Sequence, residues 1–289
     1  MNKKFYKHIV WRSCCFLLPI MFGLLATSCT TQYDKLLKST DHIAKYNAAK
    51  EYYAAEKYRR AYTLFEQVAI YFRSLPQDDS VNFYLAKSYY NSKDIYSAEY
   101  YFRQFGAHFP RSPFAEEANY LYIVSLYSQT LRYELDQSPS YRTLSAITDF
   151  FYIYPQSKYM EECHKIREDL TQRLDEKQFE AAKLYYTTRD YKSAITALQT
   201  SLKDFPESRY KEETRYYLVA SAYEYATRSY RHRQKDRYQA VVDEYYNFVS
   251  EFPESKYRKE VEKMNEEVAE QIRLLQATPL QKEEVITLE

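Results

Sequence analysis

Glycine is almost absent from this sequence: Gly23 and Gly106 are the only two among 289 residues. Tight hairpin turns and phosphate-binding loops depend on glycine, because it adopts backbone conformations that other residues avoid. The scarcity therefore excludes the glycine-rich dinucleotide motif and the P-loop. Together with the low content of β-branched runs, it predicts an all-α protein.

Cysteine is also scarce, and no arrangement of reactive residues indicates an enzyme. Cys14 and Cys15 lie in an N-terminal segment that we expect to be removed, and Cys29 lies at its end. Cys163 then stands alone, and His164 beside it has no second cysteine or histidine nearby to form a zinc site. The sequence contains no GxSxG or HExxH motif. We expect no catalysis, no cofactor and no metal, and we interpret Cys163 as a packing residue.

Residues 1–28 have the composition of a signal peptide, with a basic start followed by the apolar stretch CCFLLPIMFGLLA. This stretch is too short for a convincing membrane-spanning helix. It resembles a bacterial lipoprotein signal, in which a small residue precedes the cysteine that becomes acylated. Here Ser28 precedes Cys29, although Ala26 stands where leucine is usual. The resemblance implies that Cys29 carries acyl chains such as palmitate; the alternative is plain secretion with cleavage near Cys29.

Removal of the signal peptide changes the charge of the chain. Residues 1–28 contain three lysines, one arginine and no acid, so their loss lowers the formal net charge from +1 to −3. A negative chain does not favour a nucleic-acid partner, and we expect none.

A short proline motif recurs four times along the chain. Residues 205–210 read FPESRY and residues 252–257 read FPESKY, with looser copies YPQSKY at 154–159 and FPRSPF at 109–114. Proline cannot continue the preceding helix, serine is a common N-cap, and acidic residues follow where a helix begins. Each copy therefore predicts that one helix ends and another starts, with the serine as its N-cap.

Small and apolar residues recur at a fixed distance before these prolines. The residues twelve positions earlier are Ala98, Thr143, Ala194 and Val241, and those four and seven positions after them are mostly apolar. This layout resembles the tetratricopeptide repeat, a helical hairpin of about 34 residues with small residues where its helices touch. We count five repeats: 41–77, 78–112, 113–156, 174–208 and 209–255. Such repeats stack into a solenoid with an inner groove.

In repeats of this kind the first helix of each pair lines the groove. The first helix has alanine at its contact position in three repeats, at Ala49, Ala86 and Ala182. Around each alanine lie an aromatic residue, a lysine and a tyrosine: Tyr46, Lys50 and Tyr53; Phe83, Lys87 and Tyr90; and Phe179, Lys183 and Tyr186. Rings and ammonium groups together suit a partly apolar peptide with a carboxylate. We assign the first two triplets to a peptide groove and the third to possible partner docking; the alternative is that these rings fill helix interfaces.

Two insertions lengthen the third and fifth repeats, at 128–141 and 226–238, and we expect both to project. The second insertion holds a basic cluster of Arg228, Arg231, Arg233, Lys235 and Arg237. This cluster is either a solvated face or a second docking surface, for an acidic partner or anionic lipid. Residues 29–40 are interpreted as a lipidated tether and residues 277–289 as a polar tail.

The lipoprotein signal, the five repeats, the FPxSxY junctions and the string AAKLYYTTRDYKSAITALQTSLKDFPESRY at 181–210 together resemble the BamD family. The resemblance covers roughly residues 25–265. It implies a lipoprotein on the periplasmic face of the outer membrane, in the machinery that folds and inserts β-barrel proteins. It further implies that the N-terminal repeats, 41–156, bind C-terminal segments of unfolded barrel proteins, and that the C-terminal repeats and end helix, 157–276, dock the barrel subunit BamA.

Two other functions remain open on the sequence alone. A periplasmic repeat scaffold of the Tol-Pal or cell-division kind would share the repeats and the compartment. A repeat arm linked to peptidoglycan metabolism would share them too, although no catalytic domain follows the repeats.

Overall fold

The computed structural model describes residues 30–277, which contain twelve helices and no strand. The helices are α1 (Thr30–Lys38), α2 (His42–Ala54), α3 (Tyr58–Ala69), α4 (Asp78–Asn91), α5 (Ile95–His108), α6 (Ala115–Tyr127), α7 (Ser138–Ile153), α8 (Met160–Thr187), α9 (Tyr191–Asp204), α10 (Lys211–Thr227), α11 (Arg231–Glu251) and α12 (Arg258–Ala277). The predicted signal peptide, Cys29 and nearly all of the predicted tail lie outside the described residues.

The chain divides into two compact units. Within the described residues, unit 1 comprises 30–130 and 142–163, and unit 2 comprises 131–141 and 164–277. In each unit successive helices pack against one another along the chain. The alanines predicted at helix contacts are fully buried: Ala49, Ala61, Ala86, Ala98, Ala182 and Ala194. The predicted all-α fold of tetratricopeptide repeats is confirmed.

Residues 30–38, predicted as part of a tether, form helix α1, which packs on the first repeat. Tyr33, Leu36 and Leu37 join the apolar core of unit 1. The buried Lys45 ammonium donates to the Leu37 carbonyl at 2.9 Å and to the Gln67 side chain at 2.8 Å. It therefore satisfies a carbonyl in the last turn of α1, where a cation is also favoured by the helix dipole.

The four proline junctions share a geometry that differs from the predicted helix cap. At FPESRY the Ser208 hydroxyl accepts from the Tyr210 amide at 2.9 Å and donates to the Asp175 carboxylate of α8 at 2.7 Å. Helix α10 begins at Lys211, three residues after the serine. The prediction that the serine is the N-cap is wrong, because its hydroxyl joins the turn to the first helix of the same repeat.

The same contacts recur at the other junctions. The serine and carboxylate pairs are Ser112 with Asp79 at 2.7 Å, Ser157 with Glu116 at 2.6 Å and Ser255 with Glu212 at 2.6 Å. Beside each pair two aromatic rings stack at centroid distances of 4.1 to 4.7 Å: Phe114 on Phe83, Tyr159 on Tyr120, Tyr210 on Phe179 and Tyr257 on Tyr216. We call the hydrogen-bonded pair and the stacked pair together the junction clasp.

Both insertions differ from the projecting loops that the sequence predicts. Residues 131–135 lie against α8, where the Lys177 ammonium donates to the carbonyls of Tyr133 at 3.1 Å and Leu135 at 2.8 Å. These hydrogen bonds attach the loop to α8. In the second insertion only residues 228–230 separate α10 from α11, so the extra residues lengthen the two helices.

Three turns inside the repeats use a left-handed residue where glycine is usual. The residues are Glu56 (φ 57°), Lys93 (φ 68°) and Arg189 (φ 65°). At Lys93 the following amide, of Asp94, donates to the Tyr89 carbonyl at 3.1 Å and closes a Schellman motif. A side chain in this region is strained by about 1 kcal/mol. The low glycine content therefore leaves strain at three helix ends.

We predict that Lys93→Gly raises the free energy of unfolding by about 0.5 to 1 kcal/mol, because glycine adopts a positive φ without strain. Urea denaturation followed by circular dichroism would measure it. Ser92→Gly is the matched control: Ser92 has φ −77° and donates its hydroxyl to the Tyr89 carbonyl at 2.8 Å, so this change should destabilise. A lower midpoint for Lys93→Gly would contradict the prediction.

Candidate functional site

The first helices α2, α4 and α6 form a continuous face in unit 1 that carries the predicted groove residues. The Tyr53 ring packs 5.0 Å from the Tyr84 ring, and its hydroxyl accepts from the Asn91 side-chain amide at 3.1 Å. The Tyr46 and Ser80 hydroxyls lie 3.4 Å apart. These contacts join α2 to α4, and we call the surface the first-helix face of unit 1.

Lys50 is the accessible cation of this face. Its side chain is exposed, and its ammonium lies 5.5 Å from the centroid of the Tyr46 ring. Within the described residues it takes part in no ion pair. A carboxylate placed beside Tyr46 could therefore pair with Lys50 without displacing a protein group.

Lys87, the corresponding residue of the second repeat, is already engaged. Its ammonium lies 2.6 Å from the Glu117 carboxylate of α6 and 5.2 Å from the Phe83 ring centroid. Burial lowers the pKa of Lys87, but the hydrogen bond to Glu117 opposes this effect, and the pKa lies above its ordinary value. A ligand carboxylate that reaches Lys87 must share it with Glu117 or displace Glu117.

The phenylalanines of the triplets are not available to a ligand. Phe83 and Phe179 are each 1 % exposed because they lie in junction clasps. The prediction that Phe83 lines a groove and that Phe179 docks a partner is therefore wrong. The remaining groove aromatics, Tyr46, Tyr53 and Tyr90, are half-buried and keep part of each ring accessible.

The other members of the third triplet are half-buried in unit 2, like the tyrosines of the first two triplets. The Lys183 ammonium is 3.3 Å from the Glu180 carboxylate of the same helix. The Tyr186 ring packs at 5.8 Å from Tyr191 and at 5.2 Å from Tyr217. Docking of a partner at Lys183 and Tyr186 stays a prediction.

Helix α8 exposes a different, apolar face. Nine residues after the carboxylate of the clasp, three repeats have a serine that is fully buried: Ser88, Ser125 and Ser221. The corresponding residue of α8 is Leu184, which is 61 % exposed, and the next residue, Tyr185, is 43 % exposed. Together with the exposed Ala181 these residues form what we call the α8 apolar face. A leucine in place of a recurring serine is the signal in the sequence that could have identified it.

The second repeat shows what normally covers this position. Tyr89, which corresponds to Tyr185, stacks on the Tyr62 ring of α3 at 4.1 Å and donates its hydroxyl to Glu66 at 2.6 Å. In the second repeat, helix α3 therefore covers this position. On α8 Leu184 and Tyr185 are exposed, so the α8 apolar face offers apolar surface to a partner.

The basic cluster divides into two groups. Arg228 pairs with Glu224 at 2.8 Å, and the Arg237 guanidinium lies 3.9 Å from the Tyr225 ring centroid. The other members are exposed in the first two turns of α11: Arg231, Arg233 and Lys235. No acidic residue occurs in that first turn. Positive side chains thus add to the positive end of the helix dipole, an arrangement that favours a negatively charged partner.

Other kinds of functional site find little support in the described part of the chain. Within residues 30–277 no group of three histidine, cysteine, aspartate or glutamate side chains could hold a metal ion. In the same range no helix combines the length and the apolar character needed to cross a bilayer. Cys163 is buried, and burial raises the pKa of its thiol to about 11, which makes it a poor nucleophile.

A family model described as outer membrane lipoprotein, YfiO, matches residues 39–185 and 170–273. The chain belongs to this family. YfiO is the BamD family, so the resemblance stated from the sequence is confirmed. The YfiO match includes the first-helix face of unit 1, the α8 apolar face and the basic cluster, and it begins after α1.

Two solved structures are similar to this YfiO-family chain. One is TTC0263, a thermophilic tetratricopeptide-repeat protein of Thermus thermophilus, with 17% identity, a TM-score of 0.32, and coverage of 79% of this chain and 98% of that one. The other is a putative kinesin light chain of Podosopora anserina with nearly identical TPR-like repeats, with 16% identity, a TM-score of 0.31, and coverage of 81% and 94%. No curated protein matches the chain.

Proposed function

We propose that this protein is a lipid-anchored subunit, on the periplasmic face of the outer membrane, of the machinery that folds and inserts β-barrel proteins. The observation that carries the proposal is membership of the YfiO family of outer membrane lipoproteins over residues 39–273. The signal-like segment that ends at Cys29 supports the anchor, and the helical repeats support a role in binding other proteins. Capture of Tol-Pal or cell-division proteins in place of barrel-assembly subunits would contradict it.

The first-helix face of unit 1 is the surface that we assign to unfolded barrel proteins. Their C-terminal segments end in an aromatic residue and a free carboxylate, as the family resemblance implies. Lys50 is exposed and unpaired within the described residues, so it can take the carboxylate, while Tyr46 and Tyr53 offer ring surface beside it. Lys87 then serves as a second cation that the ligand must share with Glu117 or take from it.

Unit 2 is the part that we assign to BamA. The α8 apolar face supplies exposed apolar area, and the start of α11 supplies positive charge. The Arg228 guanidinium lies 5.5 Å from the Tyr191 ring, which places the end of α8 and the start of α11 at the same edge of unit 2. A partner with an apolar patch and acidic rim would fit this edge.

We predict that Cys29 is acylated and is the membrane anchor. Cys29→Ser should move the protein from the membrane fraction to the soluble fraction, because within residues 30–277 no helix could replace the acyl chains. Mass spectrometry of the mature protein measures the modification directly. An unmodified Cys29, or a Cys29→Ser protein that stays in membranes lacking BamA, would contradict the prediction.

We predict that Lys50→Ala weakens binding of a fluorescent peptide copied from a barrel C-terminus by about 1 to 3 kcal/mol, the range for a hydrogen bond to a charged group. Glu117→Gln should strengthen binding, because it releases Lys87 from its ion pair. Fluorescence anisotropy titration measures both changes.

Lys35→Ala, which removes an exposed lysine of α1, is the matched control and should leave the affinity unchanged. Amidation of the peptide terminus should weaken binding to the unmodified protein and have little further effect on Lys50→Ala. Equal affinity for the free and amidated peptides would show that no lysine recognises the carboxylate.

We predict that Leu184→Ser weakens capture of the periplasmic domains of BamA by about tenfold or more, because it removes an apolar contact at the centre of the surface. The residue is 61 % exposed, so the unfolding midpoint should change little. Surface plasmon resonance measures the affinity, and Leu184→Met, which keeps the apolar area, is the control.

A separate measurement tests the basic residues at the start of α11. Reversal of charge with Arg231→Glu and Arg233→Glu should slow association and make the remaining binding less sensitive to salt. An unchanged association rate at low ionic strength would show that these residues form an ordinary solvated face.

A further inference from the structure

Helix α1 begins beside one edge of unit 1, directly after the predicted lipid attachment site in the sequence. Thr30, the residue after Cys29, is the first residue of α1. Tyr33, one turn further on, packs at 5.4 Å from the Tyr52 ring, and its hydroxyl donates to the Arg60 carbonyl at 3.4 Å. The N-terminal end of α1 therefore lies beside the turn that joins α2 to α3. Cys29 is covalently joined to Thr30, and consecutive Cα atoms are about 3.8 Å apart. Acyl chains on Cys29 would therefore be attached next to this end of α1.

The same turn carries a cluster of basic residues. A cleft of about 610 Å³ is lined by residues 56–60 and Ser92. Lys57 and Arg59 are exposed, and no ion pair within residues 30–277 involves either side chain. The Arg60 guanidinium lies 5.0 Å from the Tyr33 ring, which ties the cleft to α1. Glu56 is the single acidic residue of the lining, so the cleft is net positive.

Acidic residues are concentrated at the opposite edge of unit 1. The proline junctions lie at the other end of the helices, and the first turns that follow them contain the acids Asp78, Asp79, Glu116 and Glu117. A net positive cleft beside the first residues of α1 favours contact between an anionic surface and the turn that joins α2 to α3.

We propose that Lys57, Arg59 and Arg60 bind the phosphate groups of anionic phospholipids in the leaflet that holds the Cys29 acyl chains. The proposal rests on the proposed function, because it requires acylated Cys29. A basic residue near an anionic membrane strengthens binding by about fivefold, and acyl chains hold a protein more firmly when basic residues act beside them. The acyl chains and the basic turn together fix which edge of unit 1 faces the membrane.

Two tryptophan probes at the ends of α3 can test this orientation. The sequence has one tryptophan, Trp11, which lies in the signal peptide, so the mature protein has no background signal. Tyr58→Trp places a probe at the basic turn, and Tyr71→Trp places the matched control two residues after the helix ends. Helix geometry separates the two positions by about 20 Å.

The acylated mature protein is bound to phosphatidylcholine vesicles with or without phosphatidylglycerol, and quenching by a lipid labelled at its head group is measured. We expect Tyr58→Trp to be quenched more strongly than Tyr71→Trp when phosphatidylglycerol is present. Adding Lys57→Glu and Arg59→Glu should abolish that difference, while circular dichroism verifies that the variants are folded.

Equal quenching of the two probes in acylated, vesicle-bound protein would overturn the basic-turn proposal and leave the anchor intact. A difference that survives the charge reversal would overturn it as well. If the protein leaves Cys29 unmodified and does not bind vesicles, the anchoring part of the proposed function fails and this proposal fails with it.

Discussion

The serine of each proline junction is the residue on which the stacking of the helices depends. Its hydroxyl accepts from its own turn and donates to a carboxylate about 33 to 43 residues earlier, and two aromatic rings stack beside it. A single helical hairpin cannot bury its apolar face alone, and the serine contact fixes the turn that leads from one hairpin to the next. At Asp175 burial raises the pKa of the carboxyl, although the Ser208 hydroxyl bond acts against this shift. The stacked aromatic rings are buried in the same contact, so Phe83 and Phe179 cannot form part of a binding surface.

The repeat fold could be predicted because its signals are local. Spacing within a helix places Ala98, Phe102 and Phe105 on one stripe, and all three are buried. Contacts between repeats could not be predicted in the same way, because a helical period shows which face a residue is on and not which helix covers that face. Lys87 and its partner Glu117 are 30 residues apart in the chain, so the lysine pattern alone gave no sign that this cation is neutralised. The exposed position of Leu184 could have been predicted from the sequence, but only by aligning the repeats with one another at the serine position.

Equivalent residues in successive repeats differ in chemistry because their neighbours differ. Lys50 and Lys87 occupy the same repeat position and each lies over an aromatic ring. Only Lys87 has a carboxylate at 2.6 Å, supplied by the following first helix. An incoming carboxylate therefore gains full electrostatic attraction at Lys50, while at Lys87 it must compete with a group that is already hydrogen-bonded. The same motif thus places two cations on one face: Lys50, which is exposed, and Lys87, which is already paired with a carboxylate.

The placement of α1 connects the anchor to the orientation of this face. A flexible tether would let unit 1 turn freely, but Tyr33, Leu36 and Leu37 pack α1 into the core of the first repeat. The proposed acyl chains on Cys29 would therefore be attached next to a helix that is packed on the first repeat. If the turn between α2 and α3 contacts the membrane, α2 and α3 rise away from it, because each helix begins or ends at that turn. Under the two proposals together, Lys50, which lies four residues before the end of α2, would be close to the membrane surface, where an unfolded chain could reach it.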